Sequence, residues 1–411
     1  MLLKSPIAIG LSPNTENDDI WQAIKIIFQP WMWKGGDAIK KVEDWFKNYF
    51  NIDEVFLLNS GRSALYAVLK SFGIGEGDEV LIQAFTCVAV PDPIIWVGAK
   101  PVYVDIDETL NIDSGFIEKH INRKTKAIIV QHTFGIPTNI ELITKIAQKH
   151  KLILIEDCAH ALGAEINGKK VGTFGDAAIF SFGRDKIISS VFGGMAIISS
   201  KFKVQSSKLK NFQEQLKFPS YFWIFQQLLH PLAFAIIHPI YNLLVGKLLL
   251  IILQKLQLLS KPIQKEEMNG GRPDIFPKLY PNALAFILLK QLKKLDGYNE
   301  KRRKIAQFYS QKLSKVQNIT LPPMITNAIY LRFNIQTNMA EKILSRAKKQ
   351  GILLGNWYRN IIDPRGVDYG KIGYTINSCP KAELAAKLSV NLPTYPKLIE
   401  ADLEKIIDLF N

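Results

Sequence analysis

Between about residues 55 and 200 the chain alternates short apolar runs with segments of helical spacing. The runs 55–58, 79–84, 101–105, 127–131, 152–155, 177–181 and 195–198 have the length of strands. Among the segments between them, 63–72 and 140–150 read as helices, the second introduced by the cap-like Pro137-Thr138-Asn139. This rhythm predicts an α/β fold, doubly wound, with a mostly parallel seven-stranded sheet and crossover helices. Together with an N-terminal arm it would occupy residues 1–200. Open sheets of this kind gather ligands at strand ends, so polar residues there deserve the first look.

The pattern changes after residue 200. Lys201, Lys203, Lys208, Lys210 and Lys217 lead into residues 218–246, which contain no Asp, Glu, Lys or Arg. Phe218, Tyr221, Phe222, Trp223, Phe225, Phe234 and Tyr241 crowd that run, and Pro219, Pro231 and Pro239 interrupt it. Lys247 precedes a further apolar patch, 248–253. The prolines argue against a clean transmembrane helix. Residues 201–270 therefore read as a basic and apolar helical insertion. Two readings stay open for 218–255: packing on the protein itself, as core or dimer interface, and an interfacial or re-entrant contact with a membrane. Helical spacing resumes at 283–295, and the charged Glu300-Lys301-Arg302-Arg303-Lys304 leads another helix through Leu313. Residues 271–411 are read as this linking helix and a smaller C-terminal α+β domain.

Length and composition narrow the classes. A chain of 411 residues, 47% hydrophobic and 22% charged, is too apolar to be disordered and long enough for a large core plus a smaller one. Cys87, Cys158 and Cys379 form no Cys-x-x-Cys pair, which speaks against a disulfide framework or a thiolate metal site. The N-terminus lacks the pattern of a signal peptide, so a cytoplasmic location, with the inner face of the membrane as an associated site, is expected. A net charge of +15 favours anionic partners. No helix-turn-helix, zinc or base-stacking motif accompanies it, so nucleic acid is not expected as the partner.

Three strand ends carry the chemistry. Asn59-Ser60-Gly61-Arg62-Ser63-Ala64-Leu65 leaves a strand and opens a helix, offering hydroxyls and free backbone N–H groups at a positive helix end, a cradle for phosphate. Glu156-Asp157-Cys158-Ala159-His160 follows the apolar 152–155, so Asp157 stands where a buried strand ends and can hold a cation. Ser181-Phe182-Gly183-Arg184-Asp185-Lys186 sets a hydroxyl and a lysine in one loop, and a lysine held among neighbours can form a Schiff base. Taken singly these are a Ser-capped turn, a loop acid and a solvated lysine. In this order, with Gly193-Gly194 beyond, they are the parts that pyridoxal 5'-phosphate requires. Lys186 would form an imine with the cofactor and shuttle the proton. Asp157 would pair with the pyridinium nitrogen, His160 would reach the ring oxygen, and Ser181, Ser63 and backbone N–H groups would bind phosphate.

At this point the sequence resembles the DegT/DnrJ/StrS-type sugar aminotransferases, which are fold-type-I pyridoxal-phosphate enzymes. The resemblance covers about 30–200 and 280–411. Its carriers include the 59–65 turn, Gly75-Glu76-Gly77-Asp78, Gln83-Ala84-Phe85-Thr86, Gly98-Ala99-Lys100-Pro101, the 156–160 and 181–186 segments and Leu392-Pro393-Thr394-Tyr395-Pro396. The resemblance implies Lys186 and Asp157 as catalytic residues, with cofactor contacts at Gly61, Arg62, Ser63, Cys87, Asp157, His160, Ser181 and Lys186, and no metal. It further implies a homodimer with shared active sites, glutamate as a usual amino donor, and a nucleotide-linked keto sugar as acceptor in surface polysaccharide or glycoconjugate synthesis. Position 87, after the Thr of the Phe-Thr motif, departs from the family, where an aromatic residue covers the cofactor ring. Here it is Cys87, so stacking would be weaker or supplied from elsewhere. A second reading keeps the fold and loses catalysis, leaving a regulator or a membrane-associated scaffold.

Overall fold

The computed structural model describes residues 5–410. Its centre is a seven-stranded sheet whose strands, in chain order, are β1 (Phe56–Leu58), β2 (Glu79–Gln83), β3 (Lys100–Val104), β4 (Thr125–Gln131), β5 (Ile153–Asp157), β6 (Ala177–Ser181) and β7 (Gly194–Ile198). They lie side by side in the order β1-β7-β6-β5-β4-β2-β3. From β3 through β6 neighbours pair in parallel, and β7 runs against both β6 and β1. The expected mostly parallel α/β sheet is therefore present.

The side-chain period of two sorts the strands onto two cores. Val80, Ile82, Ile129, Ile155, Ile179 and Ala196 join one buried cluster, while their neighbours Leu81, Ile128, Leu154, Ala178, Phe180 and Ile197 join clusters on the opposite face. Helices cover both sides, which is why the strands read as nearly continuous apolar runs. The strand ending at Asp157 reaches two residues beyond the expected 152–155, so the acid is the last residue of β5.

The helix expected at 283–295 is Asn282–Leu292, followed closely by Leu295–Leu313. The latter turns Tyr298, Arg302, Ile305, Ala306 and Tyr309 inward. Beyond it, Ile319–Thr320, Arg332–Thr337 and Ser389–Pro393 form a three-stranded antiparallel sheet. Phe333, Ile335, Val390 and Leu392 on that sheet share a separate core with Tyr309, Ile343 and Ile406.

The insertion forms helices Lys203–Glu214, Tyr221–Ile240 and Leu244–Lys255. Contrary to the expected interruption, Pro231 and Pro239 lie within the second of these. An internal proline costs roughly 3 kcal/mol. Burial of Trp223, Ile224, Leu228, Phe234 and Ile237, at about 1.5–3 kcal/mol per large apolar side chain, outweighs it. Among the described residues no helix is long and apolar enough to cross a membrane.

One buried acid in this frame yields a prediction. Asp92, in the short helix Pro91–Trp96, is fully buried, and neither carboxyl oxygen has a hydrogen-bond partner. Burial pushes its pKa from 3.8 to about 8, against the pull of Arg62. The native state thus keeps a proton that the unfolded chain releases, so stability present at acid pH is lost as pH rises from about 4 to about 8. In that window the expected slope is about 1.4 kcal/mol per pH unit. Denaturant midpoints measured from pH 4 to 8 should be flatter for Asp92→Asn than for the parent chain.

Candidate active site

The turn after β1 is built by its own side chains. Ser60 caps the helix Gly61–Ser71, its hydroxyl accepting from the Ser63 N–H at 3.1 Å and meeting the Ser63 hydroxyl at 2.9 Å. Ser63 Oγ also donates to Asn59 Oδ1 at 2.8 Å. The helix N-terminus thereby points toward the space beside β6 and β7. Two close approaches shape this corner. A Cβ on Gly61 would stand 3.0 Å from Cβ of Ser181, and one on Gly194 would lie 2.3 Å from the carbonyl carbon and oxygen of Ser60. Gly194→Ala must push β7 off the turn. A loss of about 1–3 kcal/mol in chemical denaturation is expected.

A cavity of about 630 Å³ lies there, and Gly61, Arg62, Cys87, Asp157, His160, Ser181 and Lys186 all line it. Ser63, expected as a phosphate contact, does not line it. It is wholly buried behind the turn with its hydroxyl engaged by Asn59 and Ser60, and Ser60 takes the lining position. Arg62 reaches the wall with its guanidinium committed: it is paired with Glu267, donates to the carbonyl of Pro262 at 2.9 Å and lies over Phe276. It ties the turn to the end of the insertion.

On the opposite side, Asp157 Oδ1 accepts the N–H of Ala159 at 3.0 Å. Burial raises the pKa of its carboxyl, while that N–H, Lys186 and His132 pull it back. Lys186 Nζ lies 2.8 Å from His160 Nε2, and His160 Nδ1 accepts the N–H of Phe134 at 3.3 Å. With Nδ1 an acceptor, the neutral ring carries its proton on Nε2 and donates it to Nζ. That contact uses the amine's lone pair, so it requires neutral lysine. Burial, the largest cause in both cases, pushes Lys186 and His160 toward their uncharged forms. An uncharged amine beside a buried carboxyl can attack a carbonyl or accept a proton.

Several residues that build the site carried no assigned site role in the sequence. Asn14 donates to the backbone carbonyls of Lys186, at 2.6 Å, and Ile187. Fully buried Arg302 donates to the Ile187 carbonyl at 2.9 Å and to Asn14 Oδ1. A signal existed for Arg302, because it falls on the inner face of its helix with Tyr298, Ile305 and Tyr309. The strand Thr86–Cys87 pairs in parallel with Ile362–Asp363, bringing Tyr358 to the cavity. This buried ring stacks on Phe134 at 5.6 Å, and Phe134 in turn stacks on His160. An aromatic ring is thus delivered to the cavity by a distant loop, beside a Cys87 that carries none. Arg332 from the small sheet donates to Asp185 at 2.8 Å and lies 3.9 Å over the Trp357 ring.

His132, Glu156 and Cys158 are the only cluster of metal-ligand type among the described residues. Glu156 already accepts from the N–H groups of Gly172, Phe174 and Gly175 and meets His132 Nε2. His132 Nδ1 accepts from the Thr138 N–H, so Nε2 is the donor to Glu156. His132 and Glu156 are thus engaged in a buried hydrogen-bond network of the fold.

Comparison with known proteins follows the same lines. The sequence profile of the DegT/DnrJ/EryC1/StrS aminotransferases matches residues 14–213 and 280–411. A pleiotropic regulatory protein of Geobacillus stearothermophilus is 30% identical over 378 residues, 91% of this chain and 88% of its own. The GDP-perosamine synthase of Caulobacter vibrioides is 27% identical over 402 residues, covering 96% of this chain and 95% of that enzyme. The structure of DesV from S. venezuelae superposes with a TM-score of 0.76 at 22% identity, over 99% of this chain and 97% of that one, a likeness of fold. With the profile spanning both the sheet that carries the cavity and the C-terminal unit, the chain belongs to the DegT/DnrJ/EryC1/StrS aminotransferase family, whose members are pyridoxal-phosphate-dependent sugar aminotransferases of fold type I.

Proposed function

We propose that this enzyme moves an amino group from glutamate to the carbonyl of a nucleotide-linked keto sugar, for surface polysaccharide or glycoconjugate synthesis. In this reading it works in the cytoplasm as a homodimer whose protomers share their active sites. Three units divide the labour: residues 1–200 hold the cofactor, 201–270 form the insertion, and 271–411 carry the linking helix and small domain. The observation that carries the reading is Lys186 Nζ held 2.8 Å from His160 in the cavity that Asp157 also lines. Support for the acceptor comes from relatives. Besides the GDP-perosamine synthase, a UDP-N-acetyl-3-dehydro-alpha-D-glucosamine 3-aminotransferase of Acidithiobacillus ferrooxidans is 28% identical over 351 residues.

The donor set fits pyridoxal phosphate. Gly61 leaves a helix N-terminus open beside Ser60 and Ser181, a neutral cradle whose N–H groups suit a phosphate. Asp157 is the buried acid for the pyridine nitrogen, and Lys186 is the amine for the aldehyde. When bound, the cofactor supplies an electron sink for the carbanion left on the donor carbon.

The chain's own groups then do the following. Asp157 keeps the ring nitrogen protonated, its buried carboxylate stabilised by that charge. Lys186 would hold the cofactor through Nζ, and the same amine would carry the proton between the donor carbon and the cofactor. His160 orients Nζ through Nε2–H, and with the cofactor in place that same N–H would be the donor available to the ring oxygen. Cys87 and Tyr358 both line the cavity that would hold the ring, and Tyr358 supplies an aromatic surface that the thiol lacks. Arg62 acts on the phosphate corner through the turn it anchors.

Absorption spectra of the purified protein with added cofactor, before and after L-glutamate, test the reading. A visible band that requires Lys186 and is bleached by glutamate supports it; cofactor binding with no response to any amino donor sinks it. One observation favours a second reading, a non-catalytic regulator or scaffold: the Geobacillus relative is named as a regulatory protein. The same spectra separate the two, since a regulator would not bleach.

A further inference from the structure

The family match stops at residue 213 and resumes at 280, so the helices Tyr221–Ile240 and Leu244–Lys255 lie outside the matched residues. Their two faces are treated differently. The helix Tyr221–Ile240 is largely consumed by the protein, with Trp223, Ile224 and Leu228 in the main core. The helix Leu244–Lys255 leans only one side on it. Leu249, Leu250 and Leu253 pack against Ala233, Phe234, Ile237 and Leu259. The other side presents Val245, Leu248, Ile251, Ile252 and Leu256, and Val245, Leu248 and Leu256 are 63%, 53% and 62% exposed. The spacing 245, 248, 252, 256 makes these one stripe along the helix. Ile236 of the preceding helix, 61% exposed, adds to the apolar surface of the hairpin.

The charges of the segment that carries the stripe have one sign. From residue 215 to 265 the chain has no Asp or Glu, and it carries Lys217, Lys247, Lys255, Lys261 and Lys265. Lys247 and Lys255 lie on the exposed helix itself. A second copy of the chain is a poor occupant for such a face, because a two-fold contact sets the stripe against itself and crowds lysine against lysine. A bilayer with anionic headgroups complements both features, taking the apolar side chains below the headgroups and the ammonium groups among them.

We infer that the helix Leu244–Lys255 docks the enzyme on the surface of an anionic lipid bilayer, lying in the interface without crossing it. The inner side of the same helix contributes Leu250 and Gln254 to the cavity wall, so the docking face and the wall of the active site are two sides of one element. The inference is independent of the sugar that the enzyme accepts.

Flotation of the full-length protein with phosphatidylcholine vesicles, with and without phosphatidylglycerol, tests it. Binding to the anionic vesicles is expected, weakening as salt is raised. The double variant Leu248→Glu/Ile252→Glu should lose about tenfold or more in partitioning, whereas Leu384→Glu, on the exposed face of another helix, should bind as the parent does. Lys247→Glu/Lys255→Glu leaves the apolar stripe intact and should lose the preference for phosphatidylglycerol, which keeps the test valid if the first pair misfolds. No binding by the parent chain, or equal binding by parent and both double variants, overturns the inference. So does a parent oligomer, seen by light scattering, that Leu248→Glu/Ile252→Glu dissociates, for then a second copy covers the stripe.

Discussion

Lys186→Ala is expected to lower transamination by about 10³-fold or more while leaving far-UV dichroism and the thermal transition close to those of the parent. Among the described residues the Lys186 side chain makes its hydrogen bond to His160, through Nζ. Alanine therefore removes a buried amine and strands little else: the backbone carbonyl of Lys186 keeps its bond from Asn14, and Asn14 keeps its bond from Arg302. What is lost is the group that both tethers the cofactor and moves the proton. The spectrum should change with the rate, because a visible band that depends on an imine with Lys186 cannot form. Near-normal turnover by Lys186→Ala would overturn the assignment of this residue, whatever the acceptor sugar proves to be.

Asp157→Ala and Asp157→Asn should separate charge from packing. Both remove the anion that keeps the ring nitrogen protonated, and the amide alone can still accept the Ala159 N–H. A charge-assisted hydrogen bond at a buried site is worth about 1.5–3 kcal/mol, so cofactor affinity should fall about 10- to 100-fold in either variant. Turnover should fall further than affinity, since the proton matters most when negative charge reaches the ring. Asn should preserve stability better than Ala. Equilibrium dialysis of the cofactor and single-turnover rates with glutamate read the two effects independently. An Asp157→Asn enzyme with parental affinity and rate would remove this carboxyl from the mechanism.

The segments that proved legible in advance share a physical reason. Each strand of the central sheet is buried on both faces, so its sequence is a short apolar run bounded by turn residues, and β1 to β7 lie within two residues of their expected limits. The site turns were legible because open sheets place ligands at strand ends. Asp157, Ser181 and Gly61 each sit at or just beyond a strand end, and the spacing along the chain exposes them. His160 and Lys186 follow within the same short loops.

By itself, then, the sequence determined the order of strands and helices, the loops that carry the amine and the acid, and the basic, apolar character of the insertion. All of these follow from periodicity and from charge within a few residues. Tertiary structure decided what depends on residues far apart in the chain. Ser60 instead of Ser63 faces the cavity because Asn59 draws the Ser63 hydroxyl inward, and Asn59 is itself held by the Ile275 carbonyl. Arg62 turns to Glu267, and Tyr358 reaches the neighbourhood of Cys87 through pairing of Thr86 with Ile362. The insertion's aromatic helix turns largely inward, leaving the next helix with an uncovered stripe. No local pattern encodes these pairings, because the burial that selects them exists only once distant elements have packed.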